Sequence, residues 1–202
     1  MITAPGTAIA NPGYPSVSAV RVCAQGEIVH DIGASGAAWR VQSGTVRLDA
    51  AEDGSDTLVF ASLAMPSDIV GAEAMLFHRY HFRATAMTPT VLIPWPTAPE
   101  PQVESVLGAM VRAEASAAKV VALRAGTAIE RMSRLIQLLA SVRCGEAYGQ
   151  FALPSLRDMA DITNLTHETV SRCLNGLRRQ GLLEFCGRRT GRGVKTANYL
   201  AT

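Results

Sequence analysis

The chain has 202 residues, of which 48% are hydrophobic and 18% charged, with a formal net charge of +2. That balance builds a packed core and excludes wholesale disorder. The length suits one large domain or two small ones, and no apolar run reaches the roughly 18–20 residues of a membrane helix. The first fifteen residues hold Pro5, Pro12 and Pro15 but neither a basic cluster nor an apolar stretch. This predicts a flexible arm over 1–17 rather than a signal peptide, and a cytoplasmic protein that does not span a membrane.

Cys23, Cys144, Cys173 and Cys186 are far apart and form no C-x-x-C pair, so zinc and iron–sulfur sites have no spacing support. The four read as small buried or half-buried thiols, with Cys173 and Cys186 the candidates for a redox switch. The charge is uneven. From residue 151 onward eight Lys or Arg face four Asp or Glu, whereas the first 150 residues carry eleven against thirteen. A basic C-terminal unit behind a slightly acidic one points to a polyanion partner at that end.

Residues 21–95 read as short strands. Thr45-Val46-Arg47-Leu48-Asp49-Ala50 alternates polar and apolar, and Asp53-Gly54 separates it from Thr57-Leu58-Val59-Phe60, the pattern of a hairpin. Gly26, Gly33, Gly36, Gly44 and Gly71 punctuate the region, which favours a small antiparallel roll or barrel with room for a ligand. Pro89, Pro94, Pro96, Pro99 and Pro101 predict the end of the strand unit. Beyond them Val103, Val106, Met110, Ala113, Ala117 and Val120 recur at helical spacing as far as about Leu123. This narrow, alanine-rich stripe suits either packing on the roll or pairing with its twin across a dimer axis. Ala125-Gly126 interrupts, and Thr127 with Glu130 forms a capping box. The helix that follows is expected to bury Ile129, Met132, Ile136 and Leu139 and to end near Cys144 and Gly145.

The segment 153–185 is the informative one. Ser155 can cap a first helix whose buried side is Leu156, Met159, Ala160 and Ile162. Thr163-Asn164-Leu165 suits a tight turn, since Asn tolerates the left-handed conformation. Thr166 can cap a second helix with Val170, Leu174 and Leu177 inward and Gly181 as its stop. Two short helices joined by such a turn make a helix-turn-helix. His167, Glu168, Ser171 and Arg172 remain outward, where a DNA-reading helix meets base edges. Arg172 can pair bidentately with guanine, Glu168 can accept from cytosine, and Ser171 can meet a thymine or a phosphate. Thr166 and the helix N-terminus suit a phosphate oxygen. Leu182-Leu183-Glu184-Phe185 reads as a strand, and Arg188, Arg189, Arg192 and Lys195 make a basic, Gly-rich wing. The alternative reading of the same pattern is a helical hairpin with a solvated charged tail.

From about 21 to 195 the order of elements resembles the Crp/Fnr superfamily of bacterial transcription regulators. The most specific part is His-Glu-Thr-Val-Ser-Arg at 167–172, in which Glu168, Ser171 and Arg172 look like the Fnr-type E-x-x-S-R signature. Trp39-Arg40-Val41-Gln42-Ser43-Gly44-Thr45-Val46 resembles the family's roll segment, and Asp68-Ile69-Val70-Gly71-Ala72-Glu73-Ala74 the approach to its effector-binding turn. The resemblance implies an α+β fold: an antiparallel, cyclic-nucleotide-binding-like β-roll over 18–100, a dimerisation helix and hinge over 101–126, and a winged helix-turn-helix over 127–202. It implies a homodimer reading a TTGAT-like inverted repeat, with Thr166, His167, Glu168, Thr169, Ser171, Arg172, Arg188 and Arg189 at the DNA, RNA polymerase as partner if the protein activates, and no enzymatic activity.

Departures from the family pattern bear on the effector. The N-terminal cysteine cluster of iron–sulfur sensors is missing. Cyclic-AMP-binding members have Gly-Glu before the phosphate turn and Arg-Ser after it. Here Ala72 follows Gly71, Glu73 comes one place later, and Ala84 follows Arg83. Gly71, Glu73 and Arg83 are still the candidate effector residues, with Arg83 on a phosphate and Glu73 on a ribose hydroxyl; the other reading of Arg83 is structural. His78 and His81 fall near where some relatives place a haem ligand, although they read better as exposed loop residues. The readings left open are a cyclic nucleotide, a haem, a roll that is only a scaffold and, from another class, a cupin-like metal enzyme using His30, His78 or His81.

Overall fold

The computed structural model describes residues 19–52, 54–96, 102–142, 150–186 and 193–195. The expected N-terminal arm, the helix end near Cys144 and Gly145, and Arg188, Arg189 and Arg192 lie outside them. Eight strands come first: β1 (Arg21–Cys23), β2 (Ile28–His30), β3 (Ala38–Ser43), β4 (Val46–Ala51), β5 (Leu58–Ala64), β6 (Ile69–Val70), β7 (Phe82–Ala86) and β8 (Thr90–Trp95). They form two four-stranded antiparallel sheets, in the orders β1-β8-β3-β6 and β2-β7-β4-β5. A one-turn helix, α1 (Ala74–Phe77), lies between β6 and β7. Between the sheets pack Cys23, Val29, Trp39, Val41, Val46, Val70, Ala84, Ala86 and Leu92. Gly44 turns β3 into β4 at φ +85°. A Cβ there would stand 2.7 Å from Thr90 Cα, so only glycine fits.

One detail of this unit differs from expectation, the alternation of β4. Strand β8 runs through Pro94 and ends at Trp95, the limit of the span 21–95 that reads as strands. Among the described residues β1 pairs with residues 90–92 of it, so Pro94, which has no N–H to give, lies beyond the β1 ladder and faces Trp39 of β3. Strand β4 does not keep a simple alternation, because Asp49 is buried. The β4–β5 register shifts between Leu48 and Asp49, and the outer side of β4, which Arg47 and Asp49 share, meets the C-terminal helices through Arg47, so the polar residues of that side lose water.

Helix α2 (Gln102–Leu123) follows, then α3 (Ala128–Ser141), with Gly126 between them at φ +84°. The capping box of α3 forms as read: Thr127 Oγ1 accepts from Glu130 N, and Thr127 N donates to the Glu130 carboxylate. Met132, Leu135, Ile136 and Leu139 are buried, but Ile129 is 39% exposed. It sits in the first turn, beyond the edge of the core that the later residues enter. The elements after α3 are β9 (Gln150–Ala152), α4 (Leu156–Thr163), α5 (His167–Arg179), β10 (Glu184–Cys186) and β11 (Gly193–Lys195) among the described residues. The last strands form an antiparallel sheet in the order β10-β11-β9; the wing hairpin is thus extended by β9, which the sequence had not suggested. A second core joins Phe60, Leu63, Met65 and Met87 of the roll to Val120 and Leu123 of α2 and to the buried faces of α3, α4 and α5.

Candidate nucleic-acid interface

The pair α4–α5 is built by its caps and its turn. Ser155 Oγ accepts from Asp158 N at 3.0 Å and donates to Asp158 Oδ2 at 2.6 Å, which starts α4. Met159, Ala160 and Ile162 are buried. Asn164 takes the left-handed conformation at φ 52°, and Leu165 N donates to Ala160 O at 3.0 Å, closing the turn. Thr166 then caps α5 by accepting from Thr169 N at 3.2 Å. Val170, Leu174 and Leu177 face the core, and Gly181 at φ +71° ends the helix, with Leu182 N donating to Leu177 O.

That burial decides what α5 presents. Thr166, His167, Glu168 and Arg172 are exposed, while Thr169 and Ser171 are half-buried. Glu168 and Arg172, one turn apart and each 74% exposed, are joined by an ion pair. The first turns of α5 therefore carry an acceptor, a cationic fork and two hydroxyls on one accessible edge. Cys173, next to Arg172, is half-buried, and burial pushes its thiol up, away from the reactive thiolate. The Cys186 side chain lies outside the described residues.

Sequence reasoning missed the residues that hold this pair in place. Arg131 Nη1 donates to Thr163 O at 3.3 Å and to Asn164 O at 3.5 Å. Arg124, just past α2, donates to Ile162 O at 3.2 Å and Asp161 O at 3.3 Å. Two cations thus sit on the carbonyl end of α4, where the helix dipole favours them. From the roll, Arg47 Nη1 donates to Asp158 Oδ1 at 2.8 Å and to Asp161 Oδ2 at 3.0 Å. No spacing rule finds partners more than a hundred residues apart.

The roll's candidate effector residues are engaged within the protein. Arg83 forms a two-point pair with Asp31, Nε to Oδ1 at 2.8 Å and Nη2 to Oδ2 at 2.7 Å. The Arg83 guanidinium holds the Asp31 carboxyl below its usual range. Glu73 Oε1 accepts from His81 N at 3.3 Å. Gly71, at φ +74°, lies against Tyr80: a Cβ there would be 2.6 Å from the ring. Tyr80 donates to Ala37 O at 2.7 Å and stacks on His30 with centroids 3.7 Å apart. His30 is buried, with no hydrogen-bond partner on either ring nitrogen among the described residues, and its pKa is pushed down to about 4, chiefly by burial and then by Arg21. His78 and His81 are exposed. Among the described residues no three His, Cys, Asp or Glu side chains cluster as metal ligands, and no helix is long and apolar enough to cross a membrane.

Residues 130–195 match the Crp-like helix-turn-helix domain. The whole architecture recurs in solved structures. A CRP-family transcriptional regulator from Thermus thermophilus superposes with a TM-score of 0.71 at 24% identity, covering 88% of this chain and 92% of that one. FixK2 from Bradyrhizobium japonicum does so at 0.65 and 27% identity, covering 90% and 93%. A cyclic nucleotide-binding domain containing protein from Listeria monocytogenes follows at 0.57 and 14%, covering 88% of each. No curated protein sequence matches the chain. Residues 130–195 are therefore a helix-turn-helix DNA-binding domain of the Crp-like kind, and the fold of the chain is that of CRP/FNR-type transcription regulators. The strands before it form a β-roll that resembles a cyclic-nucleotide-binding domain.

Proposed function

We propose that the chain works as a cytoplasmic homodimer, is not an enzyme, and reads an inverted repeat with TTGAT-like half-sites through α5. The observation that carries this reading is the exposed edge of α5: Glu168 and Arg172 stand clear of a helix whose opposite side is buried. In the groove, Arg172 pairs with guanine O6 and N7 and Glu168 accepts from a cytosine amine, each leaving the other for its base. Ser171 meets a thymine or a phosphate, while Thr166, His167, Thr169 and the helix N-terminus lie along the backbone. Arg188, Arg189 and Arg192 of the wing add phosphate contacts and a steep salt dependence. Dimerisation is supported by α2, which leaves Val106, Leu107, Met110, Val111 and Val121 exposed while burying Ser116, Val120 and Leu123. Two-fold symmetry then sets the two α5 helices about 34 Å apart, one turn of DNA. RNA polymerase is the further partner if the regulator activates.

The test is selection of duplexes from a random library, followed by titration of the winner with the wild type and Arg172→Ala. The expected result is an inverted repeat, with the variant weaker by roughly 1–3 kcal/mol and indifferent to the base opposite Arg172. Full affinity and unchanged preference in the variant overturn the assignment.

For the roll, the Arg83–Asp31 pair and the Tyr80 ring against Gly71 favour a scaffold that takes no cyclic nucleotide. Calorimetry with cyclic AMP and cyclic GMP is expected to show no heat of binding, and the purified protein no haem absorbance; either signal returns the roll to a sensor role.

A further inference from the structure

Resting on the DNA-reading proposal above, we propose that Arg47 is a positioning residue for α5: with Asp158 and Asp161 it forms a joint that fixes the helix-turn-helix against the roll in the orientation that lets a dimer engage both halves of an inverted repeat. The Arg47 side chain rises from β4 and is only 12% exposed. Its Nε holds Asp49 at 2.7 Å and its Nη1 holds the two carboxylates of α4. Residues 158 and 161 are three apart, so both carboxylates lie on one side of α4. A single guanidinium reaching both admits one rotation of that helix. The core beneath is apolar and non-directional; it holds the two parts together but resists sliding less than a fixed fork does. Phe60 of β5 completes the joint. The Arg47 guanidinium lies 5.7 Å from its ring centroid and that of Arg124 5.2 Å. Arg124 also grips the Asp161 carbonyl, so one residue of α4 is held through its side chain by the roll and through its backbone by the end of α2. Gln25 Nε2 adds a bond to Leu153 O at 3.1 Å, just before α4. Because α4 packs on α5, turning one turns the other. Arg47 also neutralises carboxylates on the helix beside the reading edge, which suits approach to a polyanion; the docked arrangement is therefore the one competent for DNA.

Arg47→Gln leaves the buried Asp49 unpaired and can fail to fold, so the main test uses Asp158→Asn together with Asp161→Asn. The two changes keep a side-chain oxygen to face Ser155 and remove only charge, from carboxylates that are 28% and 38% exposed. Two readouts apply. Without DNA, residual dipolar couplings are expected to give one alignment tensor for roll and helix-turn-helix in the wild type, and in the double variant a tensor for the helix-turn-helix reduced by a third or more. On DNA, the duplex selected by the wild type is compared with the same duplex bearing one scrambled arm. The double variant is expected to bind the intact repeat at least tenfold more weakly and the one-armed duplex within twofold of wild type. A shared tensor in the variant, equal weakening on both duplexes, or tighter binding to the repeat each overturn the joint. Arg172→Ala weakens both duplexes if α5 reads DNA; if the wild type selects no duplex, the DNA reading falls while the couplings still decide the joint.

Discussion

His30 shows how much one side chain can set the acid response. Its folded pKa of about 4 lies below the ordinary value of 6.5, so on acidification the unfolded chain takes up the proton first. The stability this protects is complete above pH 6.5 and is lost as pH falls toward 4, at most about 3 kcal/mol across the window. Asp31 and Glu27 are held below their usual range by Arg83 and by the Ala24 amide, so their losses come at lower pH. Asp49, raised mainly by burial, acts with the opposite sign. Denaturant titrations from pH 7 to 4 are expected to show the loss in the wild type and a flatter profile in His30→Phe, which keeps the stack on Tyr80 and cannot titrate. The Arg83–Asp31 pair is worth far less, because both partners are substantially exposed. Arg83→Ala is expected to cost under about 1 kcal/mol in the same titrations and to leave operator affinity unchanged, whereas a drop in affinity places Arg83 in the regulatory path. The motif around Gly71 was visible in the chain, but Asp31, the partner of Arg83, lies 52 positions away and follows no pattern.

Elements with local causes were the legible ones. The caps at Thr127, Ser155 and Thr166, the left-handed Asn164 and the inward Val170, Leu174 and Leu177 depend on residues within a turn or two of each other. Ile129 obeyed the helical period and is nevertheless exposed, because periodicity gives a direction and not how far the core extends. The arrival of β9 on the wing depends on which neighbours a strand has, a property of the assembled sheet. Thr166→Ala removes the cap that orders the first turn of α5, where Glu168 sits; about 1 kcal/mol of stability is expected to go, with faster amide exchange confined to that turn. Met110→Glu with Val111→Glu places charge on the exposed side of α2 and is expected to turn dimer into monomer in sedimentation velocity without loss of helical ellipticity, since neither residue enters the core of its own chain.

At the scale of the molecule, the division into roll and helix-turn-helix does not correspond to a division of the core. The pattern changes along the chain where the roll gives way to helices, and the charge changes from residue 151 onward, which is why two units can be read from it. The packing crosses that line: Phe60, Leu63, Met65 and Met87 share one cluster with Leu135, Ile162 and Leu177. Removing the roll would strip those helices of buried area, and each part therefore stabilises the other. Cooperative unfolding follows, and the sequence supplies the means to see it. Both tryptophans, Trp39 on β3 and Trp95 on β8, belong to the roll, so their fluorescence follows the sheets while far-ultraviolet ellipticity follows mainly the helices. In urea the two curves are expected to coincide. Phe60→Ala, which empties a shared position and removes the ring beneath Arg47 and Arg124, is expected to cost about 3–5 kcal/mol and to lower both midpoints together. If the fluorescence midpoint moves while the ellipticity curve stays in place, the roll and the helices fold independently, and orientation between them is set by the polar joint alone.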